Sequence, residues 1–189
     1  MVTASAPSSL RYRWSRVHYD RVIDVGGFHP EARIELLDGV IWERAKQSPP
    51  HAAVCGLLGQ ALMPIAERHE ACIRYRSPVA LYDVSRPEPD VIVIAHRSDH
   101  YMDELPSRPW LIVEVSDTEL SFDRGMKLSA YARNGLPEYW LADLVEARLE
   151  IYREPSGSEY LDKQVLAARD SVSPLFAPDV TVAIADLLP

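Results

Sequence analysis

Cysteine is nearly missing from this chain: Cys55 and Cys72 are the only two in 189 residues, and they sit in unrelated contexts. They build neither a disulfide framework nor a CxxC metal site, so two free thiols in a reducing compartment are expected. Long hydrophobic runs are also missing. None approaches the roughly 18–20 residues that cross a bilayer, so no membrane span is expected. The stretch MVTASAPSSLRYRWSR has no apolar core, which excludes a secretory signal there and predicts a cytoplasmic protein. No internal repeat or low-complexity linker is present. Positive charge is in short supply, with 20 Lys and Arg against 28 Asp and Glu and a net of -8. That excludes broad electrostatic binding of nucleic acid. The shortage is uneven, because residues 1–50 hold seven basic and six acidic side chains and the remainder carries the deficit. Arg11, Arg13 and Arg16 lie among Tyr12 and Trp14, which leaves two alternatives: a nucleic-acid-binding arm or a solvated terminal segment.

A hydrophobic fraction of 47% and a charged fraction of 25% describe a globular chain long enough to bury a real core. The expected organisation is an N-terminal arm or helix over 1–29 and a single domain over 30–189. RIELLDGVIWE predicts a hairpin turning at Asp38-Gly39. Ser48, Pro49 and Pro50 open a helix whose Val54, Leu57, Leu58, Ala61, Leu62 and Ile65 recur at helical spacing to about residue 69. Pro64 is expected to kink or loosen that helix. ACIRYR, PVALYD, DVIVIA and WLIVEVS have strand character. Residues 121–134 predict a helix that stops at Asn134-Gly135. EYWLAD, LEIYRE and a stretch near 160 follow as strands, and the tail as a loop with a short helical turn. Helices interspersed with strands give an α/β class with a mixed sheet.

Glu114 is out of place in WLIVEVS, since a carboxylate inside an apolar strand needs a partner or a metal. Asp90 opens DVIVIA on the face of Ile92 and Ile94, and Glu114 shares a face with Ile112 and Ser116. If those strands are neighbours, the two carboxylates converge. Glu114 lies about 6–7 Å back from the strand end. Lys127 lies about 9 Å along the returning helix, so the three can share a pocket. Two carboxylates make a hard-oxygen site for Mg²⁺ or Mn²⁺. A lysine beside them can orient a water or balance negative charge. Ordinary alternatives stay open: Asp90 as a strand-entry turn residue, and Lys127 in a surface pair with Asp123 one helical turn earlier.

At these residues the sequence resembles the Uma-two family of restriction endonucleases, within the PD-(D/E)xK nuclease superfamily. The phrases that carry the resemblance run in order through residues 30–185: RIELLDGVI, SPPH, PEPDVIVI, LIVEVSDTEL, FDRGMKLSAYARNGLPEYWLAD, LEIYRE and SPLF. The resemblance implies a restriction-endonuclease-like α/β fold, a mixed sheet flanked by helices. It implies a Mg²⁺- or Mn²⁺-dependent endonuclease acting on DNA, with Asp90 and Glu114 as metal ligands. The lysine two residues after the acid is replaced by Ser116, and the family pattern moves it to Lys127 in GMKLSAYA. Glu35 and His51 match supporting positions. A homodimer is expected, since similar small nucleases pair their sites and twofold dimers are the commonest assemblies. Two alternatives remain: a catalytically inactive member acting as a DNA- or protein-binding module, and a metal-dependent hydrolase of RNA or a nucleotide.

Overall fold

Six strands form one mixed sheet in a computed structural model of the chain, which describes residues 12–95 and 104–188. Arg11 of the basic N-terminal group lies outside the described residues. Helix α1 (Arg16–Asp24) is capped by the Ser15 side chain. Strands β1 (Ile34–Leu37) and β2 (Val40–Glu43) make the expected hairpin. Asp38 and Gly39 both have positive φ, 51° and 75°, as a two-residue turn of the primed type demands. Arg13, Trp14 and α1 pack against this region: the Trp14 amide donates to the Gly39 carbonyl at 2.9 Å, and buried Tyr19 donates to the Ile34 carbonyl at 3.0 Å.

Helix α2 (Pro49–Arg68) starts as its sequence requires, with Ser48 capping the His51 amide and two prolines in the first turn. Pro64 does not interrupt it. The sheet follows in the order β3 (Ala71–Tyr75), β4 (Val91–Ala95), β5 (Leu111–Ser116), β6 (Glu138–Asp143), β7 (Arg148–Ser156) and β8 (Glu159–Leu166). All neighbours are antiparallel except β5 and β6. A parallel pair needs a crossover. Here it is helical: a short α3 (Leu120–Phe122), a π-helical turn over Asp123–Lys127 and α4 (Leu128–Arg133). The single helix expected over 121–134 is therefore a composite.

Both faces of the central strands are covered, so β5 and β6 are buried along their whole length. On one face Val91, Val93, Leu111 and Val113 pack under Val54, Leu58 and Leu62 of α2. On the other, Ile92, Ile94, Ile112 and Leu141 pack with Tyr131 of α4. Gly59 lets α2 approach β3 closely, since a Cβ there would fall 1.7 Å from the Tyr75 hydroxyl.

PVALYD is not a strand. Val79 and Leu81 are buried, which produces the alternation, but the chain turns through a 3-10 segment at Tyr82–Val84. Arg86 then bonds to Leu36 of β1 rather than joining the sheet. The tail forms a two-stranded pair, β9 (Ser171–Val172) with β10 (Val182–Ala183), before the expected helical turn at Ile184–Asp186. Among the described residues no helix is long and apolar enough to cross a membrane.

Candidate active site

Strand register sets the site. In the antiparallel β4–β5 pair Val91 lies opposite Val113, so continuing the ladder one step brings Asp90 opposite Glu114. Parity puts Glu114 and Ser116 on the Ile112 face. The β1–β2 hairpin closes over this end of the sheet and adds Glu35. The first turn of α2 brings His51 from one side, and the π-helical turn brings Lys127 from the other. Glu35, His51, Asp90, Glu114, Ser116 and Lys127 all line one pocket. Every one of these six is buried.

Lys127 is 1% exposed, not a surface residue. Its Nζ donates to Glu114 Oε1 at 2.8 Å and lies 3.2 Å from Glu35 Oε2. The surface pair with Asp123 does not form; Asp123 bonds instead to Arg44 at 3.0 Å. Their segment is a π-helical turn, in which the Leu128 amide reaches back five residues to the Asp123 carbonyl, and both Asp123 and Lys127 are buried. Such single turns recur at functional sites.

Asp90 is held from three directions. Gln47 donates to Oδ1 at 2.9 Å, the Val115 amide donates to Oδ2 at 2.9 Å, and His51 Nε2 lies 3.1 Å from Oδ2. The His51 ring thus serves a carboxylate, while its backbone amide takes the Ser48 cap. Burial would raise the Asp90 carboxyl, but the His51 bond, its charge and the Val115 amide outweigh that and hold it below the usual range. Asp90 is ionised at neutral pH.

Glu114 behaves in the opposite way. Burial pushes its carboxyl up to about 8; Lys127 resists, while Asp90, Asp123 and Glu35 add to the rise. Burial would lower Lys127, yet Glu114 and Glu35 hold its ammonium above the ordinary value. The two shifts have one cause, several carboxylates competing for one ammonium. Tyr131 also donates to Glu114 Oε1, at 2.6 Å. Both bonds fall on Oε1, which leaves Oε2 as the oxygen open to another ligand.

Charge balance sharpens the point. Seven carboxyl groups line the pocket against four Lys or Arg side chains; with Glu114 holding its proton at neutral pH, six carboxylates leave an excess of two negative charges before His51 is counted. A surplus borne by buried carboxylates is costly without a counter-charge. The donors are carboxylate oxygens, the chemistry of Mg²⁺ or Mn²⁺, and Asp90 and Glu114 stand opposite each other to receive one. Ser116 Oγ is buried with no hydrogen-bond partner, a further orphan oxygen on the same wall. The residues present therefore fit a hard divalent cation.

Some of the arrangement is not visible in the motifs. Arg44, at the end of β2, spans Glu35, Glu119 and Asp123 at 3.5, 3.0 and 3.0 Å and stacks over the Phe122 ring. Nothing local in VIWER announces that role, because its partners lie up to 79 residues away. Tyr131 did carry a signal, since it stands four residues after Lys127 and shares its helix face. Cys55, one helical turn after His51, lies 3.6 Å from His51 Nδ1. Burial and the Asp90 and Glu114 charges push its thiol up to about 12, which excludes a resting thiolate.

A six-stranded mixed sheet flanked by helices is a restriction-endonuclease-like fold. The chain belongs to the Uma2 family, described as "Putative restriction endonuclease", which it matches over residues 17–185. Its fold is similar to that of a crystal structure described as a putative nuclease belonging to DUF820, from Anabaena variabilis ATCC 29413. The TM-score is 0.70 at 17% identity, covering 92% of this chain and 97% of the other. No curated protein matches the chain.

Proposed function

We propose that the chain is a divalent-metal-dependent endonuclease that hydrolyses DNA phosphodiester bonds. The observation that carries this reading is the surplus of carboxylates in an oxygen-lined pocket that also holds a buried ammonium. Asp90 and Glu114 hold Mg²⁺ or Mn²⁺. When bound, the ion supplies Lewis acidity at the phosphate and lowers the pKa of a bound water. Lys127, protonated at neutral pH, orients the attacking water or balances charge on the pentacoordinate phosphate. Glu35 acts through Lys127, fixing the ammonium from the side opposite Glu114. His51 and Gln47 act through Asp90, fixing its oxygens. Arg33 and exposed Lys46 at the pocket edge give an acidic protein local positive charge where a phosphate backbone would enter.

Ser116 in place of the usual lysine favours a second reading, a non-catalytic binding module on the same fold. Metal separates the two. Crystals soaked in millimolar Mn²⁺ are expected to show an anomalous peak between Asp90 and Glu114. The absence of a peak there removes the hydrolytic site.

A further inference from the structure

The Glu114 side of Asp90 offers only oxygen. Its other side is different. His51 Nε2 lies 3.1 Å from Asp90 Oδ2, and Cys55 Sγ lies 3.6 Å from His51 Nδ1. One donor atom from each of His51, Cys55 and Asp90 fits within 4.8 Å of the others. His51 and Cys55 stand at i and i+4 on α2, the spacing that puts two ligands on one helix face. His51 and Asp90 are buried, and both line the pocket, from which water can supply a fourth ligand.

We infer that His51, Cys55 and Asp90 form a second, soft metal site that takes Zn²⁺ or a similar transition ion. Tetrahedral Zn²⁺ with nitrogen, oxygen and sulfur at ordinary bond lengths separates its donors by about 3.3–3.8 Å. The two contacts, 3.1 and 3.6 Å, lie close to that range. The two contacts use opposite ring nitrogens and one ion can take only one of them, so binding keeps one contact as it stands and requires the third donor to swing from its present place, within the 4.8 Å that separates the three. Sulfur and imidazole select zinc-type ions over Mg²⁺, as the carboxylates beside them do not. Binding sends the Cys55 thiol proton to solvent and leaves a thiolate on the ion. Asp90 is common to both sites, so an ion here takes one ligand from the hydrolytic one. That consequence rests on the proposed function; the site itself does not.

Co²⁺ titration of the full, reduced chain reads the site without activity. The parent and Cys72→Ser are expected to develop a near-ultraviolet thiolate-to-cobalt band that Zn²⁺ bleaches, and Cys55→Ser to develop none. Cys55→Ser should also weaken Zn²⁺ binding by more than the roughly 10–100-fold typical when a group supporting a ligand is lost. A parent without the band, or a band that survives Cys55→Ser, overturns the inference. Electron paramagnetic resonance of Mn²⁺ tests the shared ligand: Zn²⁺ also displaces Mn²⁺ directly from an oxygen site, so the readout is the Zn²⁺ needed for half displacement, which should be at least about tenfold lower for the parent than for Cys55→Ser. A parent that retains Mn²⁺ beside bound Zn²⁺ overturns the competition for Asp90. A parent that binds no Mn²⁺ condemns the oxygen site alone, and the cobalt band still decides the soft one.

Discussion

Lys127→Met keeps most of the side-chain volume and removes the charge. In the parent the ammonium is sealed from solvent, 2.8 Å from Glu114 and 3.2 Å from Glu35. Taking one partner from a buried pair costs about 3–5 kcal/mol, a large share of the roughly 5–15 kcal/mol that holds a domain together. A lysine on a solvated helix face would cost almost nothing, so the size of the effect already separates the two situations. The pH dependence separates them further. Folded Glu114, raised to about 8, binds its proton more tightly than the unfolded chain does. Its contribution to stability therefore falls as pH rises from the ordinary carboxyl value toward 8, then levels off once it is ionised in both states. Lys127 is the group opposing that rise. Without it the folded pKa moves higher and the fall continues past pH 8, by about 1.4 kcal/mol for each further pH unit. Urea denaturation followed by tryptophan fluorescence at pH 6, 7, 8 and 9 measures this. The deficit of Lys127→Met should be smaller at pH 6 and 7, where Glu114 holds its proton, and grow to several kcal/mol above pH 8. A deficit below about 1 kcal/mol at pH 9, or one that shrinks as pH rises, refutes the buried pair.

Two further outcomes follow from the same geometry. Glu114 must lose its proton to bind a metal, so Mn²⁺ affinity should rise up to about tenfold per pH unit below 8 and flatten above it; a flat profile from pH 6 to 8 contradicts the raised carboxyl. Lys127→Met should slow metal-dependent cleavage by about two to three orders of magnitude. Adding Ser116→Lys should restore part of it, because Ser116 leaves the same strand face as Glu114 and its Oγ gives up no hydrogen bond; a double variant no faster than the single one rules out a migrated lysine.

Much of this fold is legible in period and punctuation. Asp38-Gly39, Ser48-Pro49-Pro50 and the apolar run around Glu114 each predict an element that is there. PVALYD misleads because burial of Val79 and Leu81 mimics strand alternation while the backbone turns. Asp90 and Glu114 could be paired from strand faces, since register needs only adjacency. Lys127 could be placed near them, but its burial could not be read, because a four-residue spacing to Asp123 fits a surface pair equally well and the covering partners, Glu35 and Arg44, come from the distant hairpin. Arg44 and Gln47 were beyond reach for a different reason. Both reach partners brought close only by tertiary packing, and neither lies in a pattern that marks it as buried.

Whether Asp90, Glu114 and Lys127 cut DNA with a divalent ion is decided by a plasmid cleavage assay. Purified parent and Asp90→Asn are each incubated with Mg²⁺, with Mn²⁺ and with a chelator. Cleavage by the parent is expected only with metal, with a loss of at least about a hundredfold in Asp90→Asn. Parent activity that survives the chelator, or an Asp90→Asn variant as fast as the parent, contradicts the metal-dependent site.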